Sequence, residues 1–154
     1  MSSDLWSFSL DLYAKPGVEP ACLALQAAGT NVCLVLCGLW LEQRGVTFDE
    51  QRLEQLRNLA EPWDEHVIQP LRALRIQWKE AALKDARLSG LREQIKRLEL
   101  DAERQLLEQL ETMTKGWPKE RYAGAGRWLQ SVAGKDGQLH RDALHQLRVA
   151  VSDA

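Results

Sequence analysis

Apolar positions recur at helical spacing through most of the chain. Leu5, Phe8 and Leu12 lie three and four apart on one stripe, with Ser3 placed as an N-cap and Asp4 favourable in the first turn. Pro16-Gly17 ends that helix, because a residue before proline leaves helical dihedrals and glycine supports a turn. A second helix is predicted over about 18–28, with Val18, Ala21, Cys22 and Leu25 on one side and Gly29 as its stop. Thr30 or Asn31 caps a third, in which Val32 to Leu41 is apolar almost all round. Such a helix is central in a fold or covered by a partner. Beyond Gly45, Thr47-Phe48-Asp49-Glu50 matches a capping box, and the fourth helix turns Leu53, Leu56 and Leu59 inward.

Pro62 suits the first turn of a fifth helix. Val67, Leu71, Leu74, Trp78 and Ala81 then form a seam, and Pro70 within it predicts a kink or a late start. Ser89-Gly90 reads as a break. After it Leu91, Ile95, Leu98, Ala102, Leu106, Leu110 and Met113 make a second stripe. One helix over 62–115 would span about 80 Å, so a hairpin with two arms is the compact reading. Gly116-Trp117-Pro118 closes the second arm. Ala123 to Val132 reads as helical despite Gly124 and Gly126, Gly134 to Gly137 as a turn, and about 139–151 as a last helix grouping Leu144, Leu147 and Val151. No stretch alternates long enough for a strand. The expected fold is all-α, a multi-helix bundle in one domain, 1–154. It comprises an apolar helical unit (1–60), a long charged helical hairpin (61–115) and a C-terminal turn and helix (116–154).

Charge sharpens that division. Residues 1–48 carry four acidic and two basic side chains, and 49–115 carry fourteen and twelve. The formal net charge of the 154 residues is -2, which lacks the basic excess of a nucleic-acid binder. With 45% hydrophobic residues the chain is too apolar to be disordered. The first ten residues lack a signal-peptide pattern, and Val32–Leu41 is too short to span a bilayer, so a cytoplasmic protein with no membrane span is expected.

Candidate chemistry is sparse. Cys33 and Cys37 share a helix face, but His66, His140 and His145 stand at no familiar zinc spacing, so the cysteines read as core and no metal or cofactor is implied. Asp142-Ala143-Leu144-His145 has the spacing of a di-metal motif, but with Asp for Glu and only once. The acids of the second arm, Glu93, Glu99, Asp101, Glu103, Glu108 and Glu111, have basic neighbours at helical spacing and read as a solvated face. Arg72, Arg75 and Lys79 line up opposite the seam as a basic stripe, which also reads as solvated. No catalytic constellation appears. Six tryptophans divide into expected core anchors, Trp6, Trp40 and Trp78, and three at helix margins, Trp63, Trp117 and Trp128, where an indole N–H suits an interface.

The N-terminal third also carries a resemblance. Leu5-Trp6-Ser7-Phe8, Leu12 to Val18, Ala21-Cys22-Leu23, Leu25-Gln26, Val32 and Leu39-Trp40-Leu41 resemble a family of small proteobacterial proteins classed as a domain of unknown function. The likeness is specific over about 4–41. It is looser through Trp63, Pro70-Leu71-Arg72 and Leu98 to Glu103, and does not extend past about 115. Cys33 stands where that family has Asn, and Cys37 stands near its usual aromatic. The resemblance implies a cytoplasmic, mostly helical bacterial protein and supplies no activity.

Two functions remain. The first is a non-enzymatic interaction or adaptor protein whose amphipathic hairpin meets another protein, or a second copy, through Arg72, Arg75, Lys79, Trp63, Trp117 and Trp128. The second is a small-molecule carrier or enzyme with a pocket of several hundred cubic ångströms among the first helices, lined by polar groups such as Gln26 or Asn31.

Overall fold

Four of the helices begin where a side chain satisfies their first free N–H groups. The computed structural model describes residues 4–119, 127–138 and 141–152, the side chains of 135–138 and 152 excepted. Ser3 lies outside them, and Asp4 caps α1 (Leu5–Tyr13), its Oδ1 accepting from Ser7 N at 2.7 Å. Gly17, at φ 82°, turns the chain into α2 (Val18–Ala27). Asn31 Oδ1 accepts from Leu34 N at 3.3 Å to start α3 (Val32–Gln43). Every residue from Cys33 to Leu41 is buried, and helices on all sides pack against α3. Burying one such Leu side chain stabilises the fold by roughly 1.5–3 kcal/mol, so α3 is the principal source of core energy.

The next cap differs from expectation. Asp49, not Thr47, starts α4 (Glu50–Trp63), accepting from Gln51 N at 2.7 Å and Arg52 N at 3.4 Å. A carboxylate suits the positive helix end better than a hydroxyl. Thr47 Oγ1 is left buried without a partner among the described residues. Pro62 does not open a new helix. It lies in the last turn of α4, which runs on into a π-helical turn, Asp64–Ile68, where Gln69 N donates back to Asp64 O. α5 (Gln69–Gln77) follows with Pro70 in its first turn, where the missing N–H is least costly.

The hairpin break also moves. It falls after α6 (Lys79–Ala82), at Leu83 to Asp85, and α7 (Ala86–Met113) passes straight through Ser89-Gly90. Asp85 accepts from Arg87 N at 2.9 Å and Leu88 N at 3.4 Å. That cap outweighs one helical glycine, which costs only about 1 kcal/mol. α7 is about 42 Å long. α5 and α6 fold back along it, with Arg92 Nε donating to Arg75 O at 2.8 Å. No residue of α5 or α6 is buried, and the buried positions of α7 begin at Glu99. The hairpin tip therefore stands clear of the core.

α8 (Arg127–Gln138) and α9 (Arg141–Ser152) close the far side of α3; Ala123 to Gly126 and Leu139 lie outside the described residues. At Gly134, φ 67°, the geometry of α8 breaks, at the start of the expected turn. Gly38 lets α8 approach α3: a Cβ there would sit 2.8 Å from Val132 Cγ2. Glu42 ties three helices, accepting from Leu129 N at 2.8 Å and pairing with Arg148 at 3.3 Å. Lys15 Nζ donates to Ala150 O at 2.7 Å. The fold is all-α; among the described residues the single β contact is an isolated bridge between Val46 and Lys119. No described helix is long and apolar enough to cross a membrane.

Candidate functional site

A cavity of about 210 Å³ lies where α1, α2, α3, the π-helical turn, α5 and α7 converge. Leu36, Ile68 and Leu107 give it apolar walls, and Trp6 and Tyr13 add aromatic ones. Leu10, Tyr13 and Leu100 line it and are also exposed, which sets its mouth between α1 and α7. Seven polar side chains reach it from six elements: Ser9 and Tyr13 from α1, Gln26 from α2, Asn31 from the cap of α3, Asp64 from the π-helical turn, Arg72 from α5 and Glu103 from α7. It is smaller than the several hundred cubic ångströms expected of a pocket, but both polar residues expected there, Gln26 and Asn31, line it. A larger depression, about 480 Å³ beside Arg44 and Lys119, is more open to solvent.

The π-helical turn supplies Asp64 and Ile68 to this wall. Such turns are rare and recur at functional sites. Asp64 Oδ2 accepts from Gln69 Nε2 at 3.0 Å. Asn31 Oδ1 is used by its helix cap, while Asn31 Nδ2 is buried with no partner among the described residues. A buried donor left unpaired costs about 1–3 kcal/mol, so this one is suited to an incoming acceptor.

Arg72 and Arg75 do not form a solvated stripe. Both turn onto α7 and enclose Glu99, which is only 6% exposed. Arg75 Nε reaches Glu99 Oε1 at 2.6 Å and Arg75 Nη2 reaches Oε2 at 3.3 Å. Arg72 Nε reaches Glu99 Oε2 at 3.1 Å. With its amide oriented by this network, the side-chain oxygen of Gln26 accepts from Arg72 Nη2 at 2.6 Å and Nε at 3.0 Å. The second acid of the cluster, Glu103, has Arg72 Nη2 at 3.5 Å. Burial, and then the charge of Glu99, push its carboxyl up to about 7, with the arginines only partly opposing. The α7 acids are thus not uniformly solvated: Glu93 pairs with Lys96 at the surface, whereas Glu99 and Glu103 face inward. Lys79 stays exposed.

The tryptophans also redistribute. Trp40 is core as expected, and so is Trp128, which is 1% exposed and donates to Val46 O at 2.9 Å. Trp117 stacks on Trp128 with ring centres 6.0 Å apart. Trp63 is half-buried and donates to Ala102 O at 2.9 Å. Trp78 is half-buried at the end of α5, outside the core, and Trp6 lines the cavity with Arg104 over its ring at 5.1 Å. Helical stripe position misassigned Trp78, because the stripe of α5 faces one partner helix and not the core, and helix-margin position misassigned Trp128, which is buried, while Trp6 packs against the core only in part.

The three cysteines are free and buried. Burial pushes the thiols of Cys22 and Cys37 up to about 11 and about 12, and that of Cys33 well above its ordinary value. Cys33 lines the cavity, yet such a thiol is a poor nucleophile. Among the described residues no group of three or more His, Cys, Asp or Glu is placed to hold a metal ion.

Residues 4–110 match a family described as "Protein of unknown function (DUF2390)". Every residue lining the cavity falls inside that segment. No curated protein and no solved structure matches the chain.

Proposed function

We propose that this chain, which belongs to the family of unknown function matched by its residues 4–110, binds a small amphipathic molecule in the cavity between α1, α3 and α7. The observation that carries the reading is the convergence of polar side chains from six elements on one apolar-walled space, with a donor at Asn31 unpaired among the described residues and a displaced carboxyl at Glu103. Apolar pockets with a few convergent polar groups are the usual form of ligand sites. The role is that of a cytoplasmic bacterial carrier, or of an enzyme whose acid–base group is Glu103.

A fragment screen by thermal shift tests this, since a ligand of the folded state raises the melting temperature. Fragments of one ring with a short polar arm should raise it. Leu10→Trp, which narrows the mouth at an exposed position, should abolish their effect without lowering the unliganded melting point much. Absence of any hit, or hits indifferent to Leu10→Trp, would remove the reading.

A second reading, protein interaction through the hairpin, is favoured by a separate observation. Ile76, Leu83 and Leu91 are exposed on the part of the hairpin that stands clear of the core. Exposed apolar groups on a projecting element suit a protein partner or a second copy. The double substitution Ile76→Asp with Leu83→Asp should then abolish capture of a partner from lysate and any self-association in sedimentation; a species unchanged by it would end this reading.

A further inference from the structure

The charges around the cavity do not balance, and the imbalance has a direction. Three carboxylates, Asp64, Glu99 and Glu103, meet two guanidiniums, Arg72 and Arg75. Glu99 takes most of what the arginines offer, with Arg75 on both its oxygens and Arg72 on one. Gln26 shares the same Arg72 donors, accepting from Nη2 and Nε. Glu103 is left with one contact among the described residues, to Arg72 at 3.5 Å, and Asp64 is left with a neutral amide. Both unspent carboxylates line the cavity, and among the described residues Arg72 is the one Lys or Arg that does.

From this arrangement, and resting on the cavity reading above, we infer that the ligand is a small organic cation, an amine or quaternary ammonium with an apolar body, its charge held between Glu103 and Asp64. Tyr13 lines the cavity with an aromatic ring of the kind that attracts ammonium groups in partly desolvated sites, whereas the Trp6 ring already carries Arg104 at 5.1 Å. Leu36, Ile68 and Leu107 receive the apolar body. A dry cavity of about 150 Å³ accepts benzene, so about 210 Å³ accommodates one ring with a two- or three-atom arm. An anion would instead lie against two carboxylates, with the guanidiniums already engaged and the neutral Asn31 Nδ2 as the one unpaired side-chain donor among the described residues of the lining. The raised carboxyl of Glu103 agrees, because a cation beside it supplies the missing counter-charge.

The test is a calorimetric titration of the full chain at neutral pH with three matched probes: 2-phenylethylamine, 2-phenylethanol and 3-phenylpropanoate. The amine should bind about tenfold or more tighter than the alcohol, as charge-assisted hydrogen bonds outweigh neutral ones, and the carboxylate should bind weakest. Glu103→Gln should remove most of the amine's advantage while leaving the alcohol's affinity within about threefold. Asp64→Asn serves as a second variant should the first fail to fold. Equal binding of amine and alcohol, or tightest binding of the carboxylate, would overturn the cation inference and leave the cavity reading intact. Failure of all three probes up to millimolar concentration would overturn both.

Discussion

Replacing Glu103 by glutamine should make the protein more stable in mild alkali and leave it unchanged in mild acid. The carboxyl lies at about 7 in the folded state against an ordinary 4.5, because burial and the neighbouring Glu99 disfavour its charge. Between those values the folded state holds a proton that the unfolded chain has lost. Stability must therefore fall as pH rises through that window. Integrating from about pH 5 to about pH 8, this one group removes about 2–3 kcal/mol, taking 1.36 kcal/mol per pKa unit. Its side chain is 28% exposed, so solvent screening trims that figure only modestly. Glutamine resembles the protonated acid in shape and cannot ionise. Urea denaturation of both proteins at the two pH values isolates the effect, because other titrating groups cancel in the difference. The variant should match the wild type near pH 5 and exceed it by about 2 kcal/mol near pH 8. A difference independent of pH, or a variant less stable at the higher pH, would refute the placement of Glu103 in a dry, negatively biased site.

Other outcomes follow from single contacts. Glu99→Ala leaves Arg72 and Arg75 facing each other without their shared acceptor and should cost about 2–4 kcal/mol, seen as a melting point lower by about 5–15 °C. Gly38→Ala gains about 1 kcal/mol of helix propensity but presses against Val132 and the Trp128 carbonyl, so calorimetry should show a net loss of about 1–2 kcal/mol. Trp128→Phe strands the Val46 carbonyl and should cost about 1–3 kcal/mol, with Trp117 fluorescence shifting as its stacking partner changes. Ellman's reagent at pH about 8 should leave Cys33 and Cys37 untouched in the native protein and titrate all three cysteines in guanidinium; fast native labelling of either would contradict their burial.

The helices, the central place of α3 and the family likeness were legible because each rests on local pattern. α3 is apolar on every face, and Gly29, Asn31 and Gly45 bracket it. The site was not legible, for a specific reason. A search for apolar stripes on α7 accepts Leu98 and passes over Glu99, though both are at helical distance from Ile95. The structure does the reverse: Leu98 is 51% exposed and Glu99 is buried. The missing signal was pairwise, two arginines one turn apart on the facing helix opposite a lone acid within a stripe. Gln26 and Asn31 could be nominated because polar residues beside an apolar helix are conspicuous. Asp64 could not, since its inward aim depends on the π-helical turn. The hairpin break was misplaced because Ser89-Gly90 looks like punctuation, while Asp85 supplies the stronger start.

That turn acts as a rotary offset between α4 and α5. At about 100° per residue, the eight steps from Ala60 to Ile68 overshoot two revolutions by about 80°, yet both residues are buried. The wider turn absorbs the surplus of nearly one residue and returns the helix to phase. Everything downstream inherits the correction. Arg72 and Arg75 meet Glu99 only because the segment before them was turned back by that amount. A single residue gained or lost between Pro62 and Pro70 would swing the arginines away from α7 and empty the cavity wall of its guanidinium, Arg72. A one-residue deletion there is thus a change of chemistry, although no residue of the charged cluster itself is altered.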